Sequence, residues 1–227
     1  MALIVTATTG GLMDLGTVSL HIASMWPRPV CVIEADPDGG RLAARHNWEV
    51  RPGLVELVAR LRSANSTQSS VEEFVRNHGD GVSVVVAPPG AEPIIAALGV
   101  LASRPRLLEE ALGVDVIVDV GRARPDSPAR ELISAADIRL LVTRTDLEDV
   151  VSVVHRTEHL RSLGDWKVLT AGGRYGVSEV DRAIEWPVIA DLLPSDRRSS
   201  ERLKEAVSKL STPLDRNLVG ATSAVAS

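Results

Sequence analysis

The sequence contains a single cysteine, Cys31, among its 227 residues. An intrachain disulfide and a multi-cysteine metal site are therefore excluded, which removes disulfide-stapled secreted domains and zinc ribbons from consideration. The apolar runs reach only about six residues, whereas a membrane-spanning helix needs roughly twenty. The beginning of the chain also lacks the basic segment of a signal peptide. Together these absences predict a soluble, cytoplasmic protein.

Lysine is scarce as well. Only three of the 25 basic residues are lysine, and none of them precedes Lys167. A phosphate site built early in the chain therefore has no lysine to use. Aromatic residues make up 3% of the chain and the net charge is −5, so stacking platforms and an overall attraction toward nucleic acid or anionic membrane are both missing. We therefore do not expect nucleic acid as a partner.

Short β-branched runs recur along the chain, and nearly all of them are apolar on both faces. Parallel strands covered by helices on both sides have this pattern, and amphipathic segments lie between the runs. The runs are 2–7, 30–34, 82–87, 114–120, 138–143, 167–171 and 187–192, and the segments between them are 53–62, 70–77, 92–112, 127–135 and 147–163. The alternation predicts an α/β fold: a doubly wound, mostly parallel sheet of about seven strands. We expect one domain over residues 1–210 and a disordered tail over residues 211–227.

Three motifs follow predicted strands. In an open parallel sheet the first turn between strand and helix is the usual phosphate site, and here it spans residues 8–19 with a double glycine, Gly10 and Gly11. The second strand runs into EADPDGG at residues 34–40, and a later strand ends in Asp119. The order and spacing of these motifs resemble the ParA/MinD family of partition and positioning ATPases. The resemblance extends to about residue 210 and implies the three-layer P-loop NTPase architecture.

Against the family pattern, the first loop lacks the residues that handle phosphate. Leu15 stands where the phosphate lysine is expected, Gly16 where the magnesium-binding hydroxyl is expected, and Asp14 where the last glycine is expected. Gly10 stands in place of the family's second lysine, and Thr17 is a possible substitute for the hydroxyl. Repulsion between the Asp14 carboxylate and a phosphate charge about 4 Å away would weaken phosphate binding by on the order of 4 kcal/mol at an effective dielectric constant of about 20. Only the backbone N–H groups of this loop remain available to a phosphate.

The resemblance gives roles to further residues at strand ends. Asp36 matches the family's water-side aspartate, although a turn and helix cap suits it equally well. Asp119 matches the magnesium-side aspartate. Late in the chain, Pro194 and Asp196 match the stretch beside the adenine.

Two arginines, Arg122 and Arg144, each lie just beyond a predicted strand, so both are expected at the carboxyl edge of the sheet. Arginine binds phosphate and carboxylate through its planar fork. The pair could therefore replace the missing lysine, or it could form ion pairs with neighbouring aspartates. The candidate catalytic residue is Asp36, and the candidate cofactor-binding residues are Gly10, Gly11, Gly16, Thr17, Asp119, Arg122, Arg144, Pro194 and Asp196. No metal site is expected from the spacing of the histidines.

The resemblance, with the missing lysine, implies a degenerate member of the family of the actinobacterial type. Its expected function is that of a non-catalytic positioning or scaffold protein in partition, septum or pilus-type organisation. We expect a homodimer or another protein partner, no direct membrane anchor, and no cofactor. The alternative is an active, nucleotide-dependent dimer switch that hydrolyses ATP, in which ATP or ADP binds with magnesium and an arginine replaces the lysine. An enzyme of amide ligation or reduction is disfavoured, because no paired cysteine or nucleophile constellation is present.

Overall fold

The structure is a computed structural model that describes residues 1–10, 14–63, 71–79, 81–193 and 200–211. The described strands form a single sheet. They are β1 (Leu3–Thr8), β2 (Val30–Glu34), β3 (Arg76–Gly79), β4 (Val82–Val85), β5 (Asp115–Arg122), β6 (Ile138–Thr143), β7 (Lys167–Thr170) and β8 (Val188–Asp191).

The sheet has the order β3-β4-β2-β5-β1-β6-β7-β8. All pairings are parallel except that of β3 with β4. The predicted α/β fold with a mostly parallel sheet is thereby confirmed, with eight strands rather than about seven. The additional strand is β3, which overlaps the last two residues of the predicted amphipathic segment 70–77; within that segment, Glu72–Phe74 form a single 3₁₀ turn. Its four residues have no apolar alternation, and the strand forms by antiparallel pairing at the edge of the sheet.

Helices connect the strands. They are α1 (Leu15–Ser24), α2 (Leu42–His46), α3 (Leu54–Ser63), α4 (Ala91–Ser103), α5 (Leu107–Leu112), α6 (Arg130–Ala135), α7 (Leu147–His155), α8 (Thr157–Leu163) and α9 (Val177–Ala183). Residues 200–211 are also helical and are called α10. The predicted segment 92–112 contains two helices because Pro105 follows α4, and proline disfavours helical backbone at the residue before it.

The helices form one layer on each face of the sheet. Helices α1, α2 and α10 cover one face, where Ile22, Leu42 and Leu203 enter the core. Helices α3 to α9 cover the other face, where Leu98 and Leu160 are fully buried. Burial on both faces explains why the strands are apolar at consecutive positions. The three-layer architecture expected from the sequence is therefore present.

The end of the described chain is helical. Ser211 belongs to α10 and is buried, so the tail predicted to begin at residue 211 does not include it. The rest of that prediction, residues 212–227, lies outside the described residues. None of the described helices is long and apolar enough to cross a bilayer.

Candidate functional site

The carboxyl ends of the central strands bring most of the predicted site residues to one edge of the sheet. Strand β5 lies between β1 and β2, and Asp119 is opposite Thr6 on one side and Glu34 on the other. Asp36 and Arg122 follow at the same edge. The sequence-based placement of these groups holds because the register of parallel strands fixes which residues reach the edge together.

The first turn of α1 is occupied by a carboxylate of the chain itself. The helix begins at Leu15, inside the turn that the sequence predicted over residues 8–19. Asp14 is its N-cap and accepts hydrogen bonds from the Thr17 backbone N–H at 3.4 Å and from the Thr17 hydroxyl at 2.8 Å. The Arg45 guanidinium, from α2, forms an ion pair with the same carboxylate at 2.5 Å. The helix end that would attract a phosphate therefore already holds an anion.

Neighbouring side chains approach the glycines of this region closely. A Cβ atom on Gly10 would lie 2.3 Å from Oδ1 of Asp149, the third residue of α7. Burial raises the pKa of the Asp149 carboxyl. A Cβ atom on Gly16 would lie 3.1 Å from Leu42 and 3.5 Å from Oδ2 of Asp119. A side chain at either position would therefore need its neighbours to shift. Gly11 lies outside the described residues.

Glu34, at the end of β2, is bound by the backbone around it. One carboxylate oxygen accepts hydrogen bonds from the N–H groups of Arg41 at 2.6 Å and Leu42 at 2.9 Å. The other accepts from the Ala87 N–H at 3.0 Å. Burial raises the pKa of Glu34, while these three hydrogen bonds act in the opposite direction. The side chain thus joins the start of α2 to the loop after β4, a role that the sequence did not reveal.

Asp36 and Asp119 face the same small space. Asp36 accepts a hydrogen bond from the Asp38 N–H at 2.9 Å, as an aspartate in a turn does. Asp119 accepts one from the Gly121 N–H at 2.9 Å. Burial raises the pKa of Asp119 well above its usual range, and the charges of Asp36 and Glu34 raise it further. Burial also raises the pKa of Asp36. Burial and mutual repulsion therefore both oppose ionisation of Asp119.

The space between these carboxylates and the first turn of α1 is very small. The cavity has a volume of about 10 Å³, which is at the lower limit for a single water molecule. Within the described part of the chain, no group of three or more histidine, cysteine or acidic side chains is arranged to hold a metal ion.

Both predicted arginines lie at the carboxyl edge and are engaged in ion pairs. Arg122 contacts Asp38 at 3.4 Å, and Arg144 contacts Asp146 at 2.7 Å. The second pairing is the one expected of surface arginines beside strand-end aspartates. Asp146 also begins α7 as its N-cap residue. The remaining candidates, Pro194 and Asp196, lie outside the described residues.

A groove of about 660 Å³ lies beside the start of α1, between that helix and the ends of β6, β7 and β8. Its lining includes Thr17, Arg45, Arg144, Gly172 and Leu193. The volume falls within the range of small-molecule pockets. Arg45 was missed from sequence because α2 was not predicted, so no signal linked it to the first loop.

Helix α7 exposes an apolar face next to this edge. Leu147, Val151 and Val154 are 59%, 38% and 43% exposed, and their spacing puts them on one side of the helix. Val150 and Val153 of the same helix are buried in the core. Helix α7 follows β6, whose carboxyl end lies at the same edge of the sheet as the candidate site. Contiguous exposed apolar surface of this kind is typical of protein contacts.

Comparison with known proteins identifies the architecture. No protein-family model and no curated protein matches the chain. Three solved structures illustrate its structural relatives. A ParA family ATPase from Chlorobium tepidum is 13% identical, covers 93% of this chain and 92% of its own, and superposes with a TM-score of 0.64. MinD from Pyrococcus horikoshii, complexed with Mg-ADP, is 17% identical, with coverages of 92% and 87% and a TM-score of 0.57.

The third structure is the MinC:MinD cell division complex of Aquifex aeolicus, at 12% identity, with coverages of 91% and 86% and a TM-score of 0.61. At such identities the likeness concerns the fold. The chain has the ParA/MinD fold, as the resemblance in the three sequence motifs predicted.

Proposed function

We propose that this chain, which has the ParA/MinD fold, is a non-catalytic positioning or scaffold protein with a degenerate phosphate loop. The observation that carries the proposal is the Asp14 carboxylate at the N-terminus of α1, hydrogen-bonded to Thr17 and ion-paired with Arg45. A helix N-terminus stabilises one local anion through its N–H groups and dipole. In this chain that anion is part of the protein.

The described residues fit a magnesium-bound phosphate poorly. The space beside Asp119 and the first turn of α1 measures about 10 Å³. Both carboxylate oxygens of Glu34 already accept hydrogen bonds, from three backbone N–H groups in all. No lysine precedes Lys167, so a phosphate charge would meet carboxylates without the usual compensating ammonium. These features support a protein that requires no nucleotide, although a solved MinD of the same fold is complexed with Mg-ADP.

The alternative is an active ATPase switch in which an arginine replaces the lysine. The groove of about 660 Å³ favours it, because Arg144 and Arg45 line a volume suited to a small ligand. Both guanidinium groups are engaged with carboxylates, Arg144 with Asp146 and Arg45 with Asp14. A nucleotide would have to break one of these pairs before it could use the arginine.

A protein partner accounts for the surface around the site. The carboxyl-edge face carries the charged residues Asp36, Asp38 and Arg122, and α7, which follows β6, exposes an apolar stripe; interfaces typically combine apolar and charged surface of this kind. We propose a homodimer that meets across this face without nucleotide. Reciprocal pairing of its acidic and basic groups about a two-fold axis would neutralise both copies. A solved MinD with this fold is in complex with MinC, which supports a protein partner in general.

Phosphate release from ATP with magnesium distinguishes the two functions. We expect the purified chain to hydrolyse ATP no faster than buffer, and Asp36→Ala to change nothing. Asp126→Ala is the matched control, because Asp126 is an aspartate whose side chain is 82% exposed. Turnover that Asp36→Ala abolishes and Asp126→Ala leaves intact would establish the ATPase alternative.

A further inference from the structure

A second groove opens at the opposite edge of the sheet from the candidate site. It has a volume of about 970 Å³ and lies where β6, β7 and β8 begin, beside α10. Its apolar surface comes from Ile138 and Ile189 of the strands and from Ala206 and Leu210 of α10, which pack against the core on that face. The groove is therefore a gap between the sheet and the helix that covers it.

Two of the carboxylates in this groove are already neutralised. Asp137 accepts hydrogen bonds from the Arg106 guanidinium at 2.6 and 2.7 Å and from the Leu3 N–H at 2.9 Å. Glu205 forms an ion pair with Lys209 at 2.7 Å. Little negative charge in the groove is left to balance further cations.

The cations of the groove are in excess. Arg139 donates to the carbonyl oxygens of Ile133, at 2.8 Å, and Ser134. Burial lowers the pKa of the Arg139 guanidinium, and the charges of Asp165 and Asp137 act in the opposite direction. Lys167 and Arg202 also line the groove and have no ion-pair partner among the residues that the structure describes. Both side chains are exposed, so they place two positive charges beside the apolar surface of the groove.

We propose that this groove binds a small amphipathic anion, namely an apolar body that carries one carboxylate, sulfonate or phosphate-ester group. The apolar body lies against Ile138, Ile189 and Leu210, and the anionic group meets Lys167 and Arg202. Apolar surface alone would bind any apolar molecule, whereas the positive charges of Lys167 and Arg202 favour molecules that also carry a negative charge. The site is independent of the proposed function, because it lies at the other edge of the sheet.

Lysine usage agrees with this assignment. All three lysines of the chain lie in or beside this region: Lys167 and Lys209 line the groove, and Lys204 is on α10 outside the lining. Lysine carries a compact, mobile charge on an apolar stem, which can follow an anionic head group over a hydrophobic floor. Lys204 also supplies a matched control, because its charge lies on the same helix but outside the groove.

The test is a fluorescence titration of the full chain with anilinonaphthalene sulfonate, an aromatic body with one sulfonate. We expect saturable binding at one site, weakened at least tenfold by Lys167→Glu and by Arg202→Glu, and less than twofold by Lys204→Glu. Decanoate should displace the probe, whereas decyltrimethylammonium, with the same tail and opposite charge, and inorganic phosphate, with charge but no tail, should not. Both side chains are exposed, so the variants are expected to fold, and circular dichroism checks this.

Several results would overturn the proposal. Equal weakening by Lys204→Glu would mean that the probe responds to net charge. Binding that ignores both Lys167→Glu and Arg202→Glu would locate the probe elsewhere, for example on the stripe of α7. Displacement by decyltrimethylammonium as effective as that by decanoate would show that the groove does not select for charge, and absence of binding would reject the site altogether.

Discussion

Replacing Asp14 by asparagine removes one negative charge from the start of α1 and leaves the helix cap in place. Asparagine is as good an N-cap as aspartate, so the hydrogen bond from the Thr17 N–H can persist. The ion pair with Arg45 is lost, and because both side chains are partly exposed, this costs about 0–1 kcal/mol. For a chain of this length, about 1 kcal/mol lowers Tm by roughly 2–4 °C. The variant should therefore fold.

The same change should expose an anion site. A phosphate about 4 Å from the Asp14 carboxylate is disfavoured by about 4 kcal/mol at an effective dielectric constant near 20, or about a thousandfold in affinity. The ion pair at 2.5 Å between Arg45 and Asp14 offsets part of this repulsion, and its loss also frees a guanidinium. We therefore expect Asp14→Asn to bind pyrophosphate at least tenfold more tightly than the wild type, measured by calorimetry and by the rise in Tm.

Asp126→Asn is the control for Asp14→Asn, since it removes the same charge from an exposed aspartate. It should leave pyrophosphate binding unchanged. Equal affinities in the wild type and Asp14→Asn would refute the idea that this carboxylate occupies the phosphate position. An equal gain in Asp126→Asn would reduce the effect to net charge.

Three further predictions concern the same edge of the sheet. Burial raises the pKa of Asp119, so its charged form destabilises the fold as the pH rises through that pKa. Asp119→Asn should therefore raise Tm near neutral pH by at least about 3 °C, which corresponds to roughly 1 kcal/mol for this chain length. The gain in Tm should shrink in mild acid. A gain in Tm that does not change with pH would contradict this. Glu34→Ala leaves the buried N–H groups of Leu42 and Ala87, and the partly buried N–H of Arg41, without an acceptor. Each buried group costs about 1–3 kcal/mol, so urea denaturation should show that the free energy of unfolding falls by at least about 2 kcal/mol. A fall below about 1 kcal/mol would mean that water or a neighbour replaces the carboxylate. Light scattering should find a dimer that forms without nucleotide and that is weakened by added salt, by Arg122→Glu and by Arg144→Glu. The control Arg182→Glu, on α9, should leave the dimer unchanged. A strict monomer, or a dimer that neither Arg122→Glu nor Arg144→Glu weakens, would show that this face is not the interface.

The sheet could be predicted because its strands are continuous apolar runs. Val30–Glu34 and Ile138–Thr143 are buried on both faces, and no other fold class uses such short runs between amphipathic segments so regularly. Strand β3 could not be predicted, because Arg76–Gly79 forms only through its partner β4. Its structure depends on tertiary pairing rather than on local pattern.

The site could be predicted only where strand ends determine it. Asp119 pairs with the last residue of β2, Arg122 ends β5 and Arg144 follows β6, so all three lie toward the carboxyl edge. The contacts of Asp14 with Arg45 and of Gly10 with Asp149 depend on how α2 and α7 pack above that edge. Sequence spacing carries no information on such packing, so the ion pair of Asp14 with Arg45 became visible only in the structure.

We propose that the chain holds its own anion in place of a nucleotide phosphate. Calorimetric titration of the unmodified protein with ATP, ADP and GTP in the presence of Mg²⁺ tests this most directly. We expect no saturable heat for any of the three at millimolar nucleotide. Saturable binding of ATP or ADP at micromolar concentration, dependent on Mg²⁺, would contradict it and would favour the arginine-based switch.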